Sequence, residues 1–217
     1  MAQFWKTHVY NILPAMEAMR NPLNSWINND TVETEHGTII GENDYILATK
    51  LIAAGPSHSK FLRQIFVSVN ITAPVYWWRE MDTYKIGTTL NSCSTMHKLQ
   101  DTKLTIDDFA LSSISDCDEL NYEAEQTLES LCELINDINV TKSTERLRLA
   151  KQLLPQGYNM TGSWTGNYAV LRNIAQQRKQ HRLTEWSDDF ISWIKTLPYC
   201  EWILSDIDTL QTKLLKE

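Results

Sequence analysis

The stretch APVYWWREMDTYKIGTTLNSCSTMH, residues 73–97, decides the reading of the fold. Ala73-Pro74 opens a helix, because proline in the first turn gives up an N–H that has no intrahelical partner there. Val75, Tyr76, Trp77, Trp78 and Met81 put apolar bulk on that helix, which is expected to run to about Tyr84. Thr88 to Thr95 (TTLNSCST) is polar and short-chained and reads as a loop. Just upstream, residues 65–71 (IFVSVNI) alternate and are β-branched, the pattern of a strand. Before them a helix starts at Asp44. Its Tyr45, Leu47, Ala48, Leu51 and Ile52 repeat at helical spacing, and Gly55-Pro56 stop it.

Residues 20–43, rich in Asn, Thr and Gly, read as loops with short strands. Downstream, helices are expected over 119–136 and 143–154. Leu120, Ala124, Leu128, Leu131 and Leu134 form the buried stripe of the first, and Leu154-Pro155 stops the second. Residues 167–181 form a further helix, Ser187-Asp188 cap another, and 204–216 close the chain helically. The class is α+β, helix-rich with a small antiparallel or mixed sheet. With no repeat, low-complexity tract or linker, one domain over residues 1–217 is the expectation.

A net charge of −7 excludes a broad nucleic-acid or membrane-surface footprint, since both require a basic excess. A basic pocket for a single phosphate stays compatible with it. No stretch approaches the roughly 20 apolar residues of a membrane span. The N-terminus lacks the pattern of a signal peptide, so a cytoplasmic location is expected. The four cysteines, 93, 117, 132 and 200, are scattered without a C-x-x-C pair and suggest neither zinc nor disulfides. The five histidines have no metal-ligand spacing, and no dinucleotide fingerprint, phosphate loop or nucleophile elbow occurs.

Two stretches resemble the flavin-dependent thymidylate synthases. The first runs from Leu51-Ile-Ala-Ala-Gly55 and His58, through the strand ending at Ala73-Pro74, to His97. In that family a similar segment leads to a helix carrying Arg-Gln, then Arg-His-Arg, then a Ser-x-Asn-Glu-x-Ser-x-Arg-Tyr loop. Laid on the proline, Arg79 and Glu80 fall on the Arg-Gln, and Thr83-Tyr84-Lys85 replace the Arg-His-Arg. With one inserted residue, Asn91, Ser92, Ser94, Met96 and His97 fall on the loop's Asn, Glu, Ser, Arg and Tyr. The second stretch is LPQGYNMTGSWTGN, residues 154–167, continuing to Arg178. There Lys151 stands at an arginine position, Asn167 and Asn173 match asparagines, Ala169 replaces an arginine and Arg178 keeps the last one.

The resemblance implies a divergent member with an altered signature. Its substrate is a pyrimidine deoxynucleotide of the dUMP type, its cofactor FAD, its one-carbon donor a folate and its assembly a homotetramer. Thr83, Tyr84, Lys85, Asn167 and Asn173 are then the cofactor residues. Arg79, Glu80, Asn91, Ser92, Ser94 and Arg178 face the substrate, with Arg178 and Ser94 nearest the chemistry. The residue types suit this: Arg, Lys and Ser meet phosphates, and Arg or Asn offers paired donors to a pyrimidine edge. Plainer readings stand beside these. Arg178 lies in a basic run with Lys179, His181 and Arg182; Tyr84 serves equally as a packed aromatic, Ser94 as loop chemistry, and Trp77-Trp78 as core. Thr83, Met96 and Ala169 remove three cations, and each lost charged hydrogen bond costs about 1.5–3 kcal/mol. The alternative function is therefore a non-catalytic nucleotide-binding or interaction protein that kept the fold.

Overall fold

The computed structural model describes residues 1–35, 37–95, 99–113 and 115–206. Its strands are β1 (Gln3–Tyr10), β2 (Val32–Thr34), β3 (Gly37–Ile39), β4 (Phe66–Pro74), β5 (Thr89–Ser92) and β6 (Asn159–Asn167). Its helices are α1 (Ile12–Arg20), α2 (Glu42–Ala53), α3 (Val75–Met81), α4 (Asp118–Asn139), α5 (Thr144–Leu153), α6 (Tyr168–Arg178), α7 (Ile191–Ile194) and α8 (Glu201–Leu204). The α+β expectation holds. A four-stranded sheet has the order β1-β4-β6-β5, and β2 pairs with β3 in an antiparallel hairpin with Glu33 opposite Thr38.

β4 is a strand because its apolar residues alternate. Val67, Val69, Ile71 and Ala73 are fully buried, while Ser68, Asn70 and Thr72 take the other face. Thr72 meets Thr161 hydroxyl to hydroxyl at 2.7 Å, and Thr165 donates to Ser68 at 3.5 Å. Four residues back on β4 thus correspond to four forward on β6, so the two strands run antiparallel. On β6 the ring of Trp164 lies over Gly166, where a Cβ would come within 2.2 Å of it; only glycine fits there.

The chain divides by its contacts into two compact units. Unit 1 comprises Met1–Gln3, Ile71–Thr83 and Asn91–Ser163; unit 2 comprises Phe4–Asn70, Tyr84–Leu90 and the chain from Trp164 onward. In unit 1, α4 and α5 bury Leu128, Cys132, Ile135, Leu147 and Ala150 with Leu99, Leu104 and Phe109. Asn136 accepts from the Leu104 amide at 2.8 Å and donates to its carbonyl at 2.9 Å, tying the preceding loop to α4. The expected stripe on α4 is corrected: Leu120, Ala124 and Leu134 are exposed, and the covered face is Leu128, Cys132, Ile135 and Asn139. Apolar residues occur on two faces of this helix, and α5 covers only one.

Three further expectations change. Thr89–Ser92 is a strand rather than a loop, because a short polar segment can pair at a sheet edge where its side chains stay in solvent. α3 stops at Met81 instead of Tyr84, since the Thr83 amide and hydroxyl both donate to the Glu80 carbonyl and close the helix end. Ser187 and Asp188 lie inside a π-helical turn, Glu185–Phe190, instead of capping it. The fully buried Trp186 and Phe190, 5.3 Å apart, drive that turn. The closing helix expected over 204–216 lies almost wholly outside the described residues; α8 ends at Leu204.

Unit 2 depends on a buried acid–base clamp. Asp44, in the first turn of α2 and fully buried, accepts from Arg20 Nε at 2.8 Å and from the Thr31 hydroxyl at 2.6 Å. Asp30 accepts from the Asn43 and Asp44 amides at 2.8 and 3.0 Å, satisfying free N–H groups of α2. Gly41 permits this, because a Cβ there would sit 2.1 Å from the Asp30 carboxyl carbon. Burial raises the Asp30 pKa, but the amides of Asn43 and Asp44 and the charge of Arg20 outweigh it, leaving the pKa below the ordinary 3.8.

Breaking the clamp with Asp44→Ala leaves a buried guanidinium unpaired, so unit 2 should lose about 3 kcal/mol or more in urea unfolding. Because the folded Asp30 pKa is depressed, its contribution is present above the unfolded pKa and fades as pH falls through the folded one. Asp30→Asn should therefore flatten the loss of stability in acid below the ordinary value of 3.8; an unchanged acid slope would refute the assignment.

Candidate functional site

The candidate residues of unit 2 take their directions from α6. Asn167 ends β6 and caps α6, its side-chain oxygen accepting the Val170 amide at 3.0 Å. The Tyr168 amide donates to the Ile65 carbonyl at 3.0 Å, which fixes the first turn. Tyr168, Leu171, Ile174 and Ala175 then face the core of the unit. The remaining faces carry polar side chains.

One of these forms a chain of side-chain hydrogen bonds. Arg178 Nε donates to the Tyr84 oxygen at 2.9 Å, and the Tyr84 hydroxyl donates to Gln177 Oε1 at 3.2 Å. Gln177 Nε2 in turn donates to Asn173 Oδ1 at 3.0 Å. These three bonds link the side chains in series, so the orientation of each group is set by its neighbour. The Arg178 guanidinium also lies over two aromatic rings, 5.6 Å from Tyr84 and 5.0 Å from Trp186. Sequence reasoning had named Asn173, Tyr84 and Arg178 separately. Gln177 and Trp186, which hold them together, were missed, although Gln177 sits one turn from Asn173, a spacing that places two helical side chains side by side.

The second polar face of α6 borders a cavity of about 500 Å³ in unit 2. Ala169, Arg172, Asn173 and Gln176 line it from α6, at intervals of three and four residues that share one face. Ile52 and Leu62, both buried, give it an apolar wall, and Ser59 and Arg63 add polar groups. Arg172 donates from Nη1 to the Trp202 carbonyl at 2.8 Å. Gln176 reaches the Leu204 carbonyl at 3.2 Å. Both satisfy carbonyls at the end of α8. Burial lowers the Arg172 pKa, with Asp206 acting in the opposite direction. An arginine stays cationic under such shifts. Lys85 is exposed.

The remaining candidates lie in unit 1. Arg79 is exposed on α3, and Glu80 is half-buried. Thr83 spends its hydroxyl on the Glu80 carbonyl at 2.7 Å. Asn91 and Ser92 are exposed on β5, and Ser94 follows, half-buried, after the Cys93 amide has paired with the Thr161 carbonyl at 2.8 Å. Met96 and His97 lie outside the described residues. Trp77 and Trp78 are core: they are 0% and 1% exposed, pack edge to face at 5.1 Å, and Trp78 Nε1 donates to the Met160 carbonyl at 2.9 Å. Among the described residues no three His, Cys, Asp or Glu side chains are grouped to hold a metal ion, and no helix is long and apolar enough to cross a membrane.

The chain matches no protein-family model and no curated protein sequence. Its backbone does match solved structures. Thymidylate synthase X from Helicobacter pylori, solved with FAD and dUMP, superposes with a TM-score of 0.72 at 19% identity, over 97% of this chain and 100% of that one. A second structure of the flavin-dependent enzyme from Helicobacter pylori, also with FAD and dUMP, gives 0.69 at 20% identity, over 92% and 97%. The chain has the ThyX fold. The likeness of backbone thus spans nearly the whole chain, where the resemblance in sequence covers about a third of it.

The Tyr84 hydroxyl is the joint of the hydrogen-bonded series. Tyr84→Phe keeps the ring under Arg178 and removes both bonds, so it should destabilise the protein by about 1–2 kcal/mol in urea unfolding. A variant as stable as the parent would show that the series does not form.

Proposed function

We propose that this chain is a flavin-dependent thymidylate synthase-like enzyme that acts on a pyrimidine deoxynucleotide of the dUMP type. The observation that carries the reading is Arg178, oriented by Tyr84 and stacked against Trp186, on a chain whose fold is that of proteins solved with FAD and dUMP. A guanidinium is a planar fork of N–H donors. A carbonyl on a uracil edge accepts from such a fork, and the neighbouring ring nitrogen accepts once it has lost its proton. Arg178 is thus the residue that binds and polarises the base. Ser94, Asn91 and Ser92, with Arg79 and Glu80, are assigned to the substrate by their places in the signature.

FAD is the cofactor in this reading. The donor set suits it: Asn173 borders a cavity of suitable size with an apolar wall, and Lys85 is an exposed cation. Tyr84, Asn167 and Thr83 complete the assignment, Asn167 with its oxygen already committed to the helix cap. Bound and reduced, the flavin supplies the electrons for one-carbon transfer from a folate to the base. The protein's own part is to orient the nucleotide, to exclude water and to hold the base through Arg178. A cytoplasmic homotetramer of single-domain chains is the proposed assembly.

A second reading has its own observation. Thr83 is spent on capping α3 and Ala169 has no polar atom, so two cation positions of the family are silent here. In that reading the protein binds a nucleotide without turning it over.

Purified protein should show flavin absorbance, as isolated or after addition of FAD, and should bind dUMP. Arg178→Ala should weaken dUMP binding tenfold or more, with Arg178→Lys intermediate. Binding of dUMP with no methylated product in the presence of FAD, reductant and methylene-folate supports the second reading. Absence of both flavin and dUMP binding sinks the first.

A further inference from the structure

We propose that the unit 2 cavity binds the phosphates of the dinucleotide, with Arg63 and Arg172 supplying the positive charge that Ala169 lacks. This deepens the reading above and rests on its assignment of FAD. Ala169 and Arg172 are three residues apart on α6, so their side chains share the cavity face. The methyl of Ala169 leaves open the volume that a long side chain would fill. Arg172 is held by one edge: its bond to the Trp202 carbonyl uses one of its five N–H donors and orients the rest.

Arg63 enters from another element, the 3-10 turn Lys60–Arg63, and is exposed at the cavity. Among the described residues no carboxylate pairs with it. Among the described residues of the lining the acidic one, Asp206, is bound by Lys179 at 2.7 Å, so its charge is offset. Asn173 adds a neutral amide, while the Ser59 hydroxyl is committed to the Gly55 carbonyl at 3.2 Å. Two cations and a neutral amide at an open cavity suit a phosphate ester.

The test is a titration with FAD, read by flavin fluorescence and calorimetry, on the parent protein and three variants. Arg63→Ala and Ala169→Phe should each weaken FAD binding tenfold or more. Ala169→Arg, added to Arg63→Ala, should restore most of the affinity by returning a cation to the same face. Arg63 is exposed, so its variant loses no packing, and it decides the matter if Ala169→Phe fails to fold. Titration with dUMP in parallel separates the two readings. If FAD behaves as stated while dUMP does not bind, the cavity assignment stands and the synthase reading falls. If FAD binds the parent but Arg63→Ala and Ala169→Phe leave it unchanged, the cavity assignment is wrong and the synthase reading survives. A parent that binds no FAD overturns the cavity assignment too.

Discussion

The side-chain oxygen of Asn167, accepting the Val170 amide, fixes where β6 stops and α6 begins. The polar side chains that α6 directs outward depend on that start. A helix rotates 100° per residue, so a start displaced by one position would turn Leu171 and Ile174 out of the core and Arg172 into it. With the cap in place, three faces are defined at once. One is buried, one borders the cavity, and one ends at Arg178 over the rings of Tyr84 and Trp186.

That division bears on the altered signature. Thr83 and Ala169 carry no charge at the places where the resembled signature has arginine, and a cation can reach the same cavity from another position. Arg172 is one helical turn from Ala169 and borders the same cavity, as does Arg63 from a separate turn. Tyr84 contributes through its hydroxyl and ring to the holding of Arg178. The neutral series Asn173–Gln177–Tyr84 sets the orientation of Arg178. Rigid orientation matters because a fork donor discriminates only when its plane is set.

Much of the fold was legible in the sequence because hydrophobic period and punctuation agree. The alternation of β4, the helical spacing of α2 with its stop before Gly55, and Leu154-Pro155 after α5 all read correctly. β5 was not legible, since Thr89–Ser92 carries no apolar alternation and becomes a strand only by pairing at an edge. The face of α4 was misread because Leu120 and Leu134 are apolar yet uncovered, and no sequence period tells which of two apolar faces a neighbour will cover. Arg178 and Asn173 were named by the resemblance, and both stand on α6. Trp186 and Arg63 could not be placed from sequence, as both come from other segments and meet α6 only in three dimensions.

A crystal structure of the protein grown with FAD and dUMP addresses the central claim, that α6 presents two ligand faces. The pyrimidine should lie against Arg178, and the dinucleotide phosphates within hydrogen-bond reach of Arg63 and Arg172. Either ligand seated away from α6, with Arg178 still locked between Tyr84 and Trp186, would contradict it.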